Sequence, residues 1–308
     1  MLPGVVEDLK AKQLGEESEG AFVVFTEATR APMIVRKRDG AFTYATSALA
    51  KVKYCEDTWH ADQLLYVVDS RQADHFKQVF EVARRWGYAD VDFQHVAFGT
   101  ILGADRRPFK TRSRDVVGLE SLLDEAVAKA RQVVVENSQD LSEAEQQRVA
   151  EVVGLGAIKY ADLSQNRQSD YIFDLDKMVA MNGNTATYLQ YAYARIQSIF
   201  RKGETTPEAI RSAQPEILLS HPAERALAAA VLRLPEVLEM AGEELKPNLL
   251  TDYLFGTANA FSTFFENCPV LKAESPERRA SRLTLCDLTA RTLAFGLNLL
   301  GIDVVDRM

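Results

Sequence analysis

The spacing of apolar positions changes twice along this chain. Over residues 1–58 it is mixed: 21–25 and 33–35 are short β-like runs, and no long helix is expected beyond 5–13. Arg38-Asp39-Gly40, between 33–37 and 41–44, predicts a hairpin turn, because Gly supplies the positive φ that such turns need. From Asp62 the texture becomes strand, helix, strand. Residues 64–69 read as a buried strand, 73–86 as a helix ended by Gly87, and 91–99 as the next strand. That alternation predicts βαβ units around a parallel sheet, whose ligands gather beyond the carboxyl ends of the strands. Residues 69–75 and 100–113 fall there.

After Glu120 nearly everything carries an apolar stripe at helical spacing. Residues 119–135 form a long amphipathic helix, and Ser142 with Glu145 forms a capping box for the next one. Asn184 is expected to cap 185–201, which Lys202-Gly203 ends. Residues 223–240 are rich in Ala and Leu, with Pro235 marking a kink or break. Pro247 suits the first turn of 248–267, and Ser275-Pro276 opens a last helix that stops at Gly301. The architecture predicted is α/β followed by an all-α bundle.

Composition narrows the class. A length of 308 residues suggests two domains, and 47% hydrophobic residues is ample for ordinary cores. No run of about 18 uncharged apolar residues appears, and the first ten residues lack a basic stretch followed by an apolar one. A soluble cytoplasmic protein with no membrane partner is therefore expected. Cys55, Cys268 and Cys286 are odd in number and far apart, which suits reduced thiols and offers no zinc pair. The net charge of −8 argues against indiscriminate nucleic-acid binding but leaves room for a local basic face.

Three segments carry candidate chemistry. Residues 104–115, ADRRPFKTRSRD, place Arg106, Arg107, Lys110 and Arg112 in a loop between a strand and a helix. Closely spaced cations there suit a polyphosphate, although a basic loop is more often simply solvated. Tyr66–Gln72, YVVDSRQ, ends a strand in polar groups, which a capped helix also explains. Tyr188, Tyr191 and Arg195 fall at i, i+3 and i+7 on one helix face. Aromatics beside a guanidinium can stack on unpaired bases and grip phosphates; the plainer reading is an aromatic core stripe.

These segments together resemble the arginyl-tRNA synthetases of class I. Lys-Thr-Arg-Ser (110–113) resembles their degenerate KMSKS signature, YVVDSRQ followed by His75-Phe76 resembles a second signature, and FTYATSALA (42–50) a third. The stretch 184–195, NTATYLQYAYAR, resembles the opening of the family's anticodon-binding domain. Gly154–Tyr160, Asp162-Leu163 and Asn166-Arg167 resemble the segment that joins it to the catalytic core. Phe261–Leu271 and Arg282–Met308 resemble the rest, and Arg278, Arg279, Arg282 and Arg291 could add a basic face.

The resemblance implies ATP-dependent attachment of arginine to its tRNA. It makes Lys110 and Arg112 catalytic, and Lys110, Thr111, Arg112 and Ser113 contacts to ATP. Tyr44 and Gln72 would hold arginine, and Tyr188, Tyr191, Arg195 and Met308 the tRNA. ATP would be a substrate accompanied by magnesium, with no resident metal and no tightly bound cofactor. The implied domains are 1–60, the remainder of an insertion in the catalytic domain; 61–182, the second half of a Rossmann-like nucleotide-binding domain; and 183–308, a helical anticodon-binding domain.

Three departures qualify this. Ala48 stands where the family has an aspartate against the guanidinium of arginine, a loss on the order of 2–5 kcal/mol for a desolvated charge pair. Arg114 replaces the glycine that usually follows Lys-Thr-Arg-Ser. His60, His75, His95 and His221 are the four histidines, so the family's His-x-Gly-His element is absent from these 308 residues. The resemblance thus covers only the second half of such an enzyme. A truncated or degenerate copy, inactive without a separate N-terminal half, is the expectation; the alternatives are a non-catalytic tRNA-binding module and a protein-interaction paralogue.

Overall fold

Helix α1, Leu2–Ala11, opens the chain and buries Val5, Val6 and Leu9. The computed structural model describes all residues except 104, 108–117 and 139. Packing divides the chain into two compact units, Met1–Thr100 and Ile101–Met308. In the first, β1 (Glu16–Ser18), β2 (Ala21–Val24) and β3 (Met33–Arg36) form an antiparallel sheet in that order. The turn at Arg38-Asp39-Gly40 forms as expected: Gly40 has φ +84°, and its N–H donates to the Lys37 carbonyl at 2.9 Å. Its second strand shrinks to a single bridge, Arg36 to Phe42.

The strand gives way because a helix starts there. Helix α2, Tyr44–Trp59, runs for 16 residues where no long helix was expected. Ala45, Ala48, Leu49, Val52 and Cys55 repeat at three to four residues and are all buried, a periodicity that the surrounding polar residues obscure. Thr43 stands at its N-cap, its N–H bonded to Thr46 Oγ1 at 3.2 Å, while its hydroxyl donates to the Ile34 carbonyl at 2.6 Å. One residue thereby starts the helix and ties it to β3.

The expected βαβ unit follows. Strand β4 (Gln63–Asp69) pairs in parallel with β5 (Asp92–Phe98), from Gln63 opposite Asp92 to Asp69 opposite Phe98. A short 3₁₀ turn, Ser70–Gln72, leads into α3, Ala73–Trp86, which Gly87 ends at φ +128°. Leu64, Tyr66 and Val68 face a core containing Phe76, Val79 and Phe80, with Tyr66 and Phe76 ring centres 4.9 Å apart. Leu65 and Val67, pointing the other way, stay exposed.

The second unit is helical. Strands β6 (Ile101–Leu102) and β7 (Tyr171–Ile172), too short to leave a sequence pattern, form a parallel pair. Helices α4 (Leu119–Asn137) and α5 (Glu143–Leu163) make a hairpin. At their crossing, a Cβ on Gly154 would lie 2.7 Å from Val127 Cα, so only glycine allows this approach. The capping box of α5 is present, with the Ser142 N–H donating to Glu145 Oε2 at 2.9 Å. Ser142→Ala should cost about 1 kcal/mol, read as a lower midpoint in urea unfolding, with an unchanged midpoint counting against the cap.

A four-residue helix, α6 (Leu175–Met178), precedes the bundle of α7 (Ala186–Lys202), α8 (Pro207–Ala213), α9 (Pro222–Leu232), α10 (Leu234–Glu244), α11 (Pro247–Asn267) and α12 (Pro276–Leu299). Pro235 marks a break between two helices: α9 ends at Leu232 and α10 begins at Leu234. Thr185, rather than Asn184, caps α7 by accepting the Tyr188 N–H. Asn184 is used otherwise: it accepts the Tyr160 hydroxyl at 2.6 Å and donates to Asp252 at 3.1 Å, linking α5 to α11. Leu189, Ile196, Leu254, Phe261, Phe264, Leu283 and Leu293 fill the centre.

Candidate functional site

Two places gather the candidate residues. The first is the end of β4. Asp69 accepts the Arg71 N–H at 2.8 Å and holds the Arg71 guanidinium through Nε at 2.9 Å. Those bonds from Arg71 pull its carboxyl down to about 2. Gln72 follows, half-buried, immediately before α3. Tyr44, the first residue of α2, is 59% exposed, and its ring stacks on His75 at 4.6 Å. His75 lies one turn beyond Gln72, so the fold brings the Tyr44 and Gln72 segments together. Ala48, one turn along α2 from Tyr44, is only 7% exposed and belongs to the apolar cluster of Tyr66 and Phe76. Asp69, an acid that could have replaced the missing aspartate, is engaged with Arg71 instead.

Lys110, Thr111, Arg112, Ser113 and Arg114 lie outside the described residues. The start of their segment is described: Gly103 N–H donates to the Arg107 carbonyl at 2.9 Å, and Arg106 has φ +59°. Both Arg106 and Arg107 are exposed.

The second place is a cavity of about 680 Å³ on the helical unit. Tyr191, Arg195 and Met308 line it, together with Arg201, Lys202, Lys272 and Arg307. Helix α7 supplies Tyr191 and Arg195 one turn apart, Tyr191 being 37% exposed. Arg195 lies over the Phe265 ring at 4.3 Å, which fixes the guanidinium plane beside an aromatic face. The C-terminal segment is held there: Arg201 donates to the Asp306 carbonyl at 2.9 Å, Arg307 pairs with Asp140, and Met308 packs on the apolar cluster of α4 and α5. Bonding to Arg307 holds the Asp140 carboxyl below its ordinary value.

Tyr188 is not among the residues that line this cavity. Its hydroxyl donates to Asn259 at 3.0 Å, and its ring meets Phe255 edge-on at 5.7 Å, so it faces α11. Of the four arginines of α12, Arg291 is exposed, while the other three are engaged within the protein. Arg282 is buried against Glu224, Arg279 donates to the Gly203 carbonyl, and Arg278 pairs with Glu274 at 3.7 Å. Sequence reasoning missed Lys202, Lys272 and Phe265 as cavity residues. Phe265 sits in an apolar stripe, and Lys272 lies after α11 with no pattern to single it out.

An α/β unit with its polar signature at a parallel strand's end, joined to a helical bundle with a basic, aromatic cavity, is the architecture of the class I aminoacyl-tRNA synthetases. The family model "tRNA synthetases class I (R), catalytic domain" matches residues 1–175, and the DALR anticodon binding domain matches 189–308. The chain belongs to the arginyl-tRNA synthetase family. It is 50% identical to the arginine–tRNA ligase of Rhodopirellula baltica, covering 100% of this chain and 48% of that protein. It is 47% identical to that of Escherichia coli, covering 100% of this chain and 54% of the relative. The arginyl-tRNA synthetase structure from Plasmodium falciparum aligns at a TM-score of 0.86 with 28% identity, over 100% of this chain and 52% of that one. The chain thus spans about half the length of the curated relatives it matches. Among the described residues, no helix is long and apolar enough to cross a membrane.

Proposed function

We propose that this chain works in the ligation of arginine to its tRNA, with the helical bundle holding the tRNA. The observation that carries this is the cavity in which Tyr191, Arg195 and Met308 meet, with Arg201, Lys202, Lys272 and Arg307 around them. An aromatic face next to clustered cations suits an unstacked base and its phosphates. In this reading residues 1–60 are the remainder of an insertion, 61–182 the second half of the catalytic domain and 183–308 the anticodon-binding domain.

The α/β unit would contribute Tyr44 and Gln72 to arginine. Lys110, Thr111, Arg112 and Ser113 would contact ATP, with Lys110 and Arg112 stabilising the departing pyrophosphate. The carboxylate of arginine would attack the α-phosphate of ATP, breaking its bond to the departing pyrophosphate and forming an arginyl adenylate; a terminal ribose hydroxyl of the tRNA would then take the acyl group, releasing AMP. Magnesium would arrive with ATP. The ATP-holding histidines would come from a His-x-Gly-His-bearing half, joined to this chain or separate. A second reading, a tRNA-binding module without the chemistry, is favoured by Ala48 and by the commitment of Asp69 to Arg71.

Titration of fluorescently labelled arginine tRNA tests the bundle. Binding should be weak and should fall with added salt, as phosphate contacts release counterions. Arg195→Ala should weaken it and reduce the slope of log affinity against log salt by about one. Tyr191→Ala should weaken it with the slope nearly unchanged. If Tyr191→Ala lowers stability but leaves the tRNA affinity of the folded protein intact, Tyr191 is a packing residue. Equal affinity for an unrelated tRNA would remove the specific reading.

A further inference from the structure

Gln190 is 0% exposed, although it is polar and lies on α7 next to the cavity-lining Tyr191. Its amide Nε2 donates twice: to the Asp303 carbonyl at 2.8 Å and to the Val152 carbonyl of α5 at 3.3 Å. One buried side chain thus ties α7 both to α5 and to the tail that follows α12. Its Oε1 has no partner among the described residues. Turning the amide over would set that oxygen against two carbonyls, so the two donations fix its orientation and leave the oxygen unpaired. An unpaired buried acceptor is costly, and an apolar residue would serve simple packing better.

The space around the amide is tight. A Cβ on Gly156 of α5 would lie 2.9 Å from Gln190 Nε2 and 3.1 Å from Ile302 Cγ2. Past Ile302, residues 303–308 belong to no helix or strand. Their other polar holds are exposed: the Tyr193 hydroxyl donates to Asp306 at 3.3 Å, Arg201 donates to the Asp306 carbonyl, and Arg307 pairs with Asp140. Solvent-facing ion pairs contribute little. Four residues of extended chain reach up to about 14 Å, so a tail released at Asp303 could carry Arg307 clear of the cavity. Held at Asp303, it cannot slide.

We propose that Gln190 is a positioning residue for the cavity: its amide sets the register of the tail at Asp303 and so presents Arg307 and Met308 beside Tyr191 and Arg195. Gln190 itself touches no ligand. Holding the contact groups in place beforehand spares the cost of ordering them when a ligand arrives. That the ligand is a tRNA rests on the proposed function; the hold on the tail does not.

Methionine labelled with carbon-13 at its methyl tests the hold in the 308-residue protein, which has six methionines. The Met308 signal, assigned by its loss in Met308→Leu, should stand apart from the position of free methionine. In Gln190→Leu it should move to that position, while the signals of Met33 and Met240 stay where they are and show that the fold is kept. Gly156→Ala, which presses on the amide from α5, should move it the same way. In titrations with fluorescent arginine tRNA, Gln190→Leu and Arg307→Ala should each weaken binding about tenfold and lower the salt slope by about one. Adding Arg307→Ala to Gln190→Leu should weaken it no further, because the guanidinium has already left the cavity. An unmoved Met308 signal in folded Gln190→Leu, or full additivity of the two changes, overturns the proposal. If Gln190→Leu fails to fold, an unmoved Met308 signal in Gly156→Ala does the same. A moved Met308 signal in a protein whose wild type binds no tRNA sinks the ligation reading and leaves the hold on the tail standing.

Discussion

The 308-residue polypeptide alone should catalyse no arginine-dependent exchange of pyrophosphate into ATP. Two losses act together. No His-x-Gly-His occurs among its four histidines, so the element that holds ATP in the family is missing from this polypeptide. Removing even one group that acts as part of a catalytic unit typically costs two or more powers of ten. The second loss is Ala48, which stands where the family has an aspartate, so that in the proposed arginine site the guanidinium would lack its carboxylate. Ala48→Asp by itself should therefore restore nothing. Supplied with a His-x-Gly-His-bearing N-terminal half, the assembly carrying Ala48→Asp should bind arginine more tightly than the one with Ala48. Calorimetry measures that difference. Exchange by highly purified polypeptide, free of host synthetase, would show that the ATP site is built from residues within this chain. Equal arginine affinity with Ala48 and Asp would mean that another acid serves the guanidinium.

Arg282→Ala should cost the helical unit about 3–5 kcal/mol, because it leaves a buried carboxylate without its counter-charge. Arg282 and Glu224 are 3% and 2% exposed and meet at 2.8 Å. Arg282 also donates to the Pro269 carbonyl at 2.9 Å, and Glu224 accepts the His221 N–H at 2.8 Å to close the capping box of α9. The change thus loosens α9, α12 and the end of α11 together. The expected drop in Tm is roughly 10 °C, measured by calorimetry. Burial by itself would raise the Glu224 carboxyl, but the His221 N–H and the guanidinium outweigh it and hold it below its ordinary value. A carboxyl depressed in the folded state stabilises above its unfolded pKa, and that contribution fades as pH falls through the depressed value. Wild-type stability should accordingly decline on the acid side of about pH 4–5. A Tm change under about 2 °C in Arg282→Ala would place the pair among the energetically neutral ones.

Residues with a local signature were the legible ones. Gly87, Pro247, Ser275 and the Ser142/Glu145 pair mark helix ends through their own backbone preferences, and all four do so in the structure. Helix α2 was hidden because Thr43, Thr46, Ser47, Lys51 and Lys53 dilute its stripe, and its start is fixed by a long-range bond to β3 that no short window contains. The site divides the same way. Tyr191 and Arg195 were visible as neighbours on one helix face and Met308 through the family resemblance, whereas Lys272 joins them only through the folding of distant segments. The inward turn of Tyr188 depends on Asn259 and Ser262, more than seventy residues away.

The parallel pair of β4 and β5 also bears on how the purified polypeptide will behave in a tube. Among the described residues this sheet has two strands, with Leu65 and Val67 exposed on the side away from α3. Backbone groups on its outer edges and a greasy stripe beside them favour sticking between molecules as concentration rises. Dilute storage, or Val67→Lys on that stripe, should keep preparations clear for longer. Light scattering over several days would then report on surface chemistry and not on unfolding.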